Sequence, residues 1–184
     1  MESKYLLFSE IEIKLRIVGD LKPSIMSIKK FYAPENFPLY ILITRGFFWK
    51  FISFQGIEIN TDIVNCIQNY TNSIKSLLIS DAYLFKEVHI LILVFDRDKR
   101  QSFENIDVWT KKAKRILGPK TIYLLVGCES ELESEVSMDE AIEKALKYDM
   151  YYTEVCLKTG KGIYEMFDIV IRHTFEVNVG PIID

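Results

Sequence analysis

Residues 89–109, HILILVFDRDKRQSFENIDVW, change hydrophobic period partway along and so decide the architecture. His89 to Phe95 is a continuous apolar run, the pattern of a parallel strand covered on both faces. From Ser102 to Leu117 the spacing turns helical. Phe103, Ile106, Trp109, Ala113 and Ile116 are expected inward and Lys111, Lys112, Lys114 and Arg115 outward, a face weighed as solvated against a contact for an acidic partner or lipid headgroups. A buried strand followed by an amphipathic helix is the repeating unit of α/β sheets.

The unit recurs downstream. Thr121 to Val126 reads as a buried strand, and Ser137-Met138-Asp139-Glu140 as a capping box opening a helix to about Lys147. Tyr151 to Val155 reads as a strand. Ile163 to Phe175 reads as a closing helix resting on Ile163, Met166, Phe167 and Val170. Upstream, Ile11, Ile13, Leu15 and Ile17 alternate with Glu12, Lys14 and Arg16, which predicts a strand with one buried face. Gly19-Asp20 then turns the chain, Pro23 and Ser24 open a short helix to about Phe31, and Pro34 and Pro38 break the segment beyond it. Leu39–Thr44 and Phe47–Phe54 flank Arg45-Gly46, which predicts an antiparallel hairpin. Ile63, Val64, Ile67, Tyr70, Ile74, Leu77 and Leu78 have helical spacing, which predicts a helix over Asn60–Ser80. No repeat or linker interrupts the chain, so one domain over residues 1–184 is expected.

A net charge of −3 and a pI near 5.5 speak against general nucleic-acid binding. No apolar run approaches the ~20 residues a membrane helix needs, and MESKYLLFSEIEIK does not resemble a signal peptide. Cys66, Cys128 and Cys156 form no disulfide framework, and an odd count fits a reducing compartment; a cytoplasmic location is expected. VGPIID offers no cysteine for prenylation and no glycine follows Met1, so any membrane attachment is expected through a partner.

From Ile90 onward, LILVFDRDKRQSFENIDVW, YLLVGCESEL and VSMDEAIEKALKYDMYYTEVCLKTGKGIYEMF resemble the Ras-like small GTPases, especially the Rab group. Ser102-Phe103-Glu104-Asn105 before Trp109 is typical of that group, and Lys158-Thr159-Gly160 matches its last nucleotide loop. The resemblance implies a P-loop NTPase-type, small-GTPase-like three-layer α/β sandwich. Its sheet would be mostly parallel and six-stranded, with one antiparallel edge strand.

The resemblance also shows where this chain departs. The family's phosphate loop follows GxxxxGK[ST], in which amides cradle phosphates, lysine offsets their charge and the hydroxyl holds Mg²⁺. Aligned on Gly19, Ser24 replaces the second glycine, Ile25 the lysine and Met26 the hydroxyl, while Pro23 removes a backbone donor. YAPENFPLY lacks the first-switch threonine, and Phe54-Gln55-Gly56, taken as the end of the third strand, lacks the Asp-x-x-Gly motif. Cys128-Glu129-Ser130-Glu131 stands for the guanine-reading Asn-Lys-x-Asp, and Cys156-Leu157-Lys158 for Ser-Ala-Lys. A lost charge-assisted contact costs about 1.5–3 kcal/mol, and every 1.4 kcal/mol is tenfold in affinity.

The expectation is a pseudo-GTPase with no cofactor and no catalytic or metal-ligating residue. It would bind protein partners, not nucleic acid, through the hairpin and the second-switch helix expected over Asn60–Ser80, and have no direct membrane anchor. Phe47, Phe48, Trp49, Phe51 and Tyr70 are the candidate partner residues, because both parities of one strand are aromatic. The alternative is a divergent GTPase holding GTP or GDP with Mg²⁺ through Gly19, Lys22, Ser24, Ser27, Glu131 and Lys158; a third reading puts a different small ligand in the pocket. Cys128 and Cys156 are weighed as a thiol pair against buried fillers, Asp20 and Asp96 as receiver-type acids against turn caps, and His89 and His173 as strand-edge and helix-surface residues.

Overall fold

Six strands line up in the order β2-β3-β1-β4-β5-β6 in the computed structural model. The structure describes residues 11–20, 24, 27–28, 47–54, 57–67, 87–129 and 131–179, with backbone alone for 11–12, 47–54, 57–67, 175–176 and 178–179. The strands are β1 (Ile11–Gly19), β2 (Phe47–Phe54), β3 (Ile57–Ile67), β4 (Ile90–Asp96), β5 (Ile122–Glu129) and β6 (Tyr151–Cys156). Among the described residues only the β2–β3 pair is antiparallel; β3-β1-β4-β5-β6 is parallel throughout. The helices with described bounds are α1 (Arg100–Lys114), α2 (Met138–Lys147) and α3 (Ile163–Val179).

Helices lie on both faces, giving three layers. On one face Ile13, Leu15, Ile17, Ile92 and Val126 pack against Ile163, Met166, Phe167 and Val170 of α3. On the other, Val18, Leu91, Leu93, Phe95 and Leu125 pack against Phe103, Ile106, Trp109 and Ala113 of α1 and Ala141 and Ala145 of α2. The unbroken apolar reading of β4 is matched by burial of all seven of its residues.

The first half differs from its periodicity. Asn60–Ile67 lies in strand β3, not in a helix, and residues 68–80 lie outside those described. Ile63, Val64 and Ile67 satisfy a helical spacing, but six of the eleven residues of Ile57–Ile67 are β-branched, and β1 and β2 offer ladders on both sides. β2 and β3 pair antiparallel with Phe54 opposite Ile57, while the hairpin expected around Arg45-Gly46 involves residues 39–46, which lie outside the described residues. The third strand ends at Ile67, not Phe54. The Asp-x-x-Gly motif is missing there too, since no glycine occurs between Gly56 and Gly118.

Smaller differences have the same kind of cause. Arg16, placed on an open face by its alternation, is buried because α1 covers that side of β1; its Nη1 donates to the Leu15 carbonyl at 3.0 Å. Ile116, placed inward by its spacing, is 41% exposed in the turn beyond α1, which ends at Lys114. Of the helix expected from Ser24, residues 24, 27 and 28 are described, and all three are helical.

The start of α2 forms as its sequence dictates. Ser137 Oγ accepts from the Glu140 amide at 3.2 Å, and Glu140 Oε2 accepts from the Ser137 amide at 3.0 Å. Arg100 Nη1 also donates to Glu140 Oε1 at 2.6 Å. That guanidinium, helped by the Ser137 donors, pulls the Glu140 carboxyl from its ordinary 4.5 to about 2. A carboxyl depressed in the folded state contributes stability above its unfolded value that is lost as pH falls from 4.5 towards 2. Glu140→Gln is therefore expected to lower the urea midpoint at pH 6 but progressively less at pH 4 and pH 3. A deficit that stays constant across that range would contradict the linkage.

Candidate functional site

In open parallel sheets ligands bind beyond the carboxyl ends of the strands, where the chain's winding reverses. Here the reversal lies at β1, which has β3 on one side and β4 on the other. Gly19 ends β1 and is buried, and Ser24 begins the helical turn beyond it. Ser24 is 3% exposed and its hydroxyl donates to Asp96 Oδ1, at the end of β4, at 2.5 Å. One side-chain bond thus spans the switch point. Asp96 Oδ2 also accepts from Lys99 Nζ at 3.1 Å, and the Asp96 amide donates to Ser102 Oγ at 3.1 Å.

The neighbouring acid turns away. Asp20 Oδ1 accepts from the Trp109 indole at 2.9 Å, and Oδ2 accepts from Asn105. Asp20 and Asp96 therefore tie the loops after β1 and β4 to other elements; turn-capping understates what both do. Ser27 is half-buried in the helical turn. Lys22, Ile25, Met26 and Tyr70 lie outside the described residues, as do the side chains of Phe47, Phe48, Trp49 and Phe51, whose backbone forms edge strand β2.

The second half of the site is built by β5, β6 and their loops. Glu131 and Lys158, 27 positions apart, form an exposed ion pair with each other. Beneath them sits a network the sequence reading missed. Arg97 Nη1 donates to Glu154 Oε2 at 3.0 Å, and Glu154 Oε1 accepts from the Tyr152 hydroxyl at 2.7 Å. Arg97 Nε donates to the Val136 carbonyl at 3.3 Å, and the Arg97 carbonyl accepts from the Glu135 and Val136 amides. Burial, followed by the Glu154 hydrogen bond, drives the Tyr152 hydroxyl far above its ordinary range and keeps it a donor. Gly127 makes room for this, since a Cβ there would lie 2.9 Å from the Tyr152 hydroxyl and 3.2 Å from Phe95. The signal available in sequence was the parity of Tyr152 and Glu154, which share one face of β6.

The cysteines do not meet as a pair. Cys128 is in register with Val155 and Cys156 with Glu129, so the two thiols leave opposite faces of the sheet. Cys128 is a buried filler whose thiol is pushed up by burial. Cys156 ends β6 at the start of the last loop, where hydrogen bonds from Thr159 and then Lys158 hold its thiol below the ordinary 9.0. His89 Nδ1 accepts from the Lys14 amide at 2.9 Å, and His173 Nε2 lies 3.0 Å from the Tyr151 hydroxyl. No three His, Cys, Asp or Glu among the described residues are grouped to hold a metal ion.

In sequence, the loop after Gly19 departs from GxxxxGK[ST] and the loop after β5 from Asn-Lys-x-Asp, the motifs that hold a guanine nucleotide and Mg²⁺. Isoleucine and methionine stand at the lysine and hydroxyl positions. The serine at the second glycine is committed to Asp96, and the carboxylate at the guanine-reading position is committed to Lys158.

The family model described as Ras family matches residues 44–176. Among curated relatives, human Ras-related protein Rab-39A is 33% identical over 88 residues, 46% of this chain and 41% of that protein. Human Ras-related protein Rab-42 is 38% identical over 87 residues, 46% of this chain and 40% of that protein. Both matches thus span about two fifths of the relative's length. Ras-related protein RabH of Dictyostelium discoideum is 22% identical over 177 residues, covering 91% of this chain and 86% of its own. No helix among the described residues is long and apolar enough to cross a membrane. With the three-layer sheet order and a family match over most of its length, the chain belongs to the Ras family of small GTPases, on its Rab-like side.

Proposed function

We propose that this chain is a Rab-like pseudo-GTPase, one domain over residues 1–184, that binds protein partners constitutively in a regulatory or trafficking setting. The observation that carries this is the Ser24–Asp96 bond across the switch point, in a loop whose lysine and hydroxyl positions hold Ile25 and Met26. Support also comes from the Glu131–Lys158 pair, which satisfies within the chain two groups that would otherwise face a base. Without a γ-phosphate to respond to, the switch segments have no ligand-dependent second state. Binding through β2 is then unswitched.

Two measurements test this. Protein purified at neutral pH with Mg²⁺ and then denatured is expected to release guanine nucleotide at well under one equivalent; stoichiometric GTP or GDP would overturn the reading. For the partner surface, Phe48→Asp and Trp49→Asp are each expected to abolish partner pull-down with the melting temperature unchanged. Unfolding of both variants would assign these aromatics to the core instead.

A further inference from the structure

Helices α1 and α2 both end at the amino-terminal edge of the parallel strands, and both end on basic sequence. Residues 111–120, KKAKRILGPK, hold five cations and no acid. Lys147 closes α2. Lys114 bolts the two ends together: its Nζ donates to the Tyr148 carbonyl at 2.7 Å and lies over the Tyr123 and Tyr148 rings, 5.5 and 5.9 Å from their centroids. Lys147 lies 4.9 Å over the same Tyr148 ring. This brings Lys147 beside Lys114, and Leu146, the preceding residue of α2, and Ile116 of the 111–120 segment are both exposed, at 74% and 41%. Among the described residues the carboxylates near this end are Asp149, exposed beside Tyr148, Asp107, which meets the Tyr148 side chain, Glu143, exposed one turn before Lys147, and Glu87, paired with Lys14 at 2.7 Å.

We propose that this end of the molecule docks on an anionic lipid bilayer. Lys111, Arg115, Lys120 and Lys147 meet headgroup phosphates, while Ile116 and Leu146 enter the headgroup layer between them. Charge complementarity selects the occupant, since these cations are concentrated on one end of a chain whose net charge is −3. The exposed isoleucine and leucine among them favour a bilayer over a nucleic acid, because only a bilayer offers apolar depth beneath its phosphates. The sequence alone leaves Lys111–Arg115 between a solvated face and a contact with an acidic partner or lipid headgroups, and favours the first. The structure adds Leu146 and Lys147 from another helix and the exposure of Ile116.

Co-sedimentation with vesicles tests the proposal without reference to nucleotide. The full chain is expected to sediment with vesicles of phosphatidylcholine and phosphatidylserine at about 7:3, and not with phosphatidylcholine alone, with the attraction weakening as salt rises. Each cation near the surface is worth roughly fivefold in partitioning, so Lys111→Gln/Arg115→Gln/Lys120→Gln is expected to lose about 100-fold. Leu146→Ser is expected to weaken sedimentation at unchanged melting temperature. Absence of phosphatidylserine-dependent sedimentation, or equal sedimentation of the triple variant, would overturn the proposal. Equal binding of the wild type to an RNA homopolymer, lost in the triple variant but kept in Leu146→Ser, would also overturn it, making the patch a general polyanion site.

Discussion

Phe167→Ala is expected to lower the unfolding free energy by about 4 kcal/mol. Phe167 is fully buried in α3 and is among the largest side chains at zero exposure. It belongs to the same cluster as Val126, Val155 and Ile163, so the residue that joins α3 to the sheet is also the one whose loss leaves the largest void. For a chain of this length each kcal/mol shifts the melting temperature by about 2–4 °C, so calorimetry should register a fall of about 10 °C. Ile169, on the same helix and 63% exposed, is the control. Its replacement by alanine is expected to stay within about 0.5 kcal/mol of wild type. Equal effects at the two positions would mean that α3 is not seated as described.

The second large effect lies in the last loop. Gly162 has φ +83°, and an added Cβ would stand 2.8 Å from the Glu154 carbonyl oxygen, which is backbone and cannot rotate away. The left-handed conformation alone costs a side-chain-bearing residue about 1–2 kcal/mol, and the contact adds to that. Gly162→Ala is expected to cost about 3 kcal/mol in urea unfolding. Gly160 also has positive φ, +76°, and its alanine variant is expected to cost about 1 kcal/mol from conformation alone. A neutral Gly162→Ala would show that the turn into α3 relaxes freely.

The fold was most legible where a period is sustained and where a cap involves neighbours in sequence. β4 is buried end to end, α1 keeps its apolar stripe inward through Ala113, and the Ser137–Glu140 capping box forms with both of its bonds. Asn60–Ile67 was misread because Ile63 and Ile67 fit both a helical and a two-residue period, and the choice between them depends on β1 and β2. At the site the sequence alone shows departures from a motif, with Ile25 and Met26 where an alignment on Gly19 would place lysine and a hydroxyl. The contacts made around those positions were not legible. Ser24–Asp96 joins residues 72 positions apart, Arg97–Glu154 57 apart and Glu131–Lys158 27 apart, and no local period encodes such pairings.

The central claim is that nucleotide no longer engages the loop after β1. Thermal unfolding of the purified chain with and without GTP and Mg²⁺ tests it most directly. A ligand at about 100 times its Kd stabilises by about 2.7 kcal/mol, which for a chain of this size is a shift of roughly 5–10 °C. The predicted result is superimposable melting curves at about 1 mM nucleotide, the concentration that would saturate even a site of ~10 μM affinity. A Mg²⁺-dependent upward shift of several degrees with GTP, absent with ATP, would contradict it.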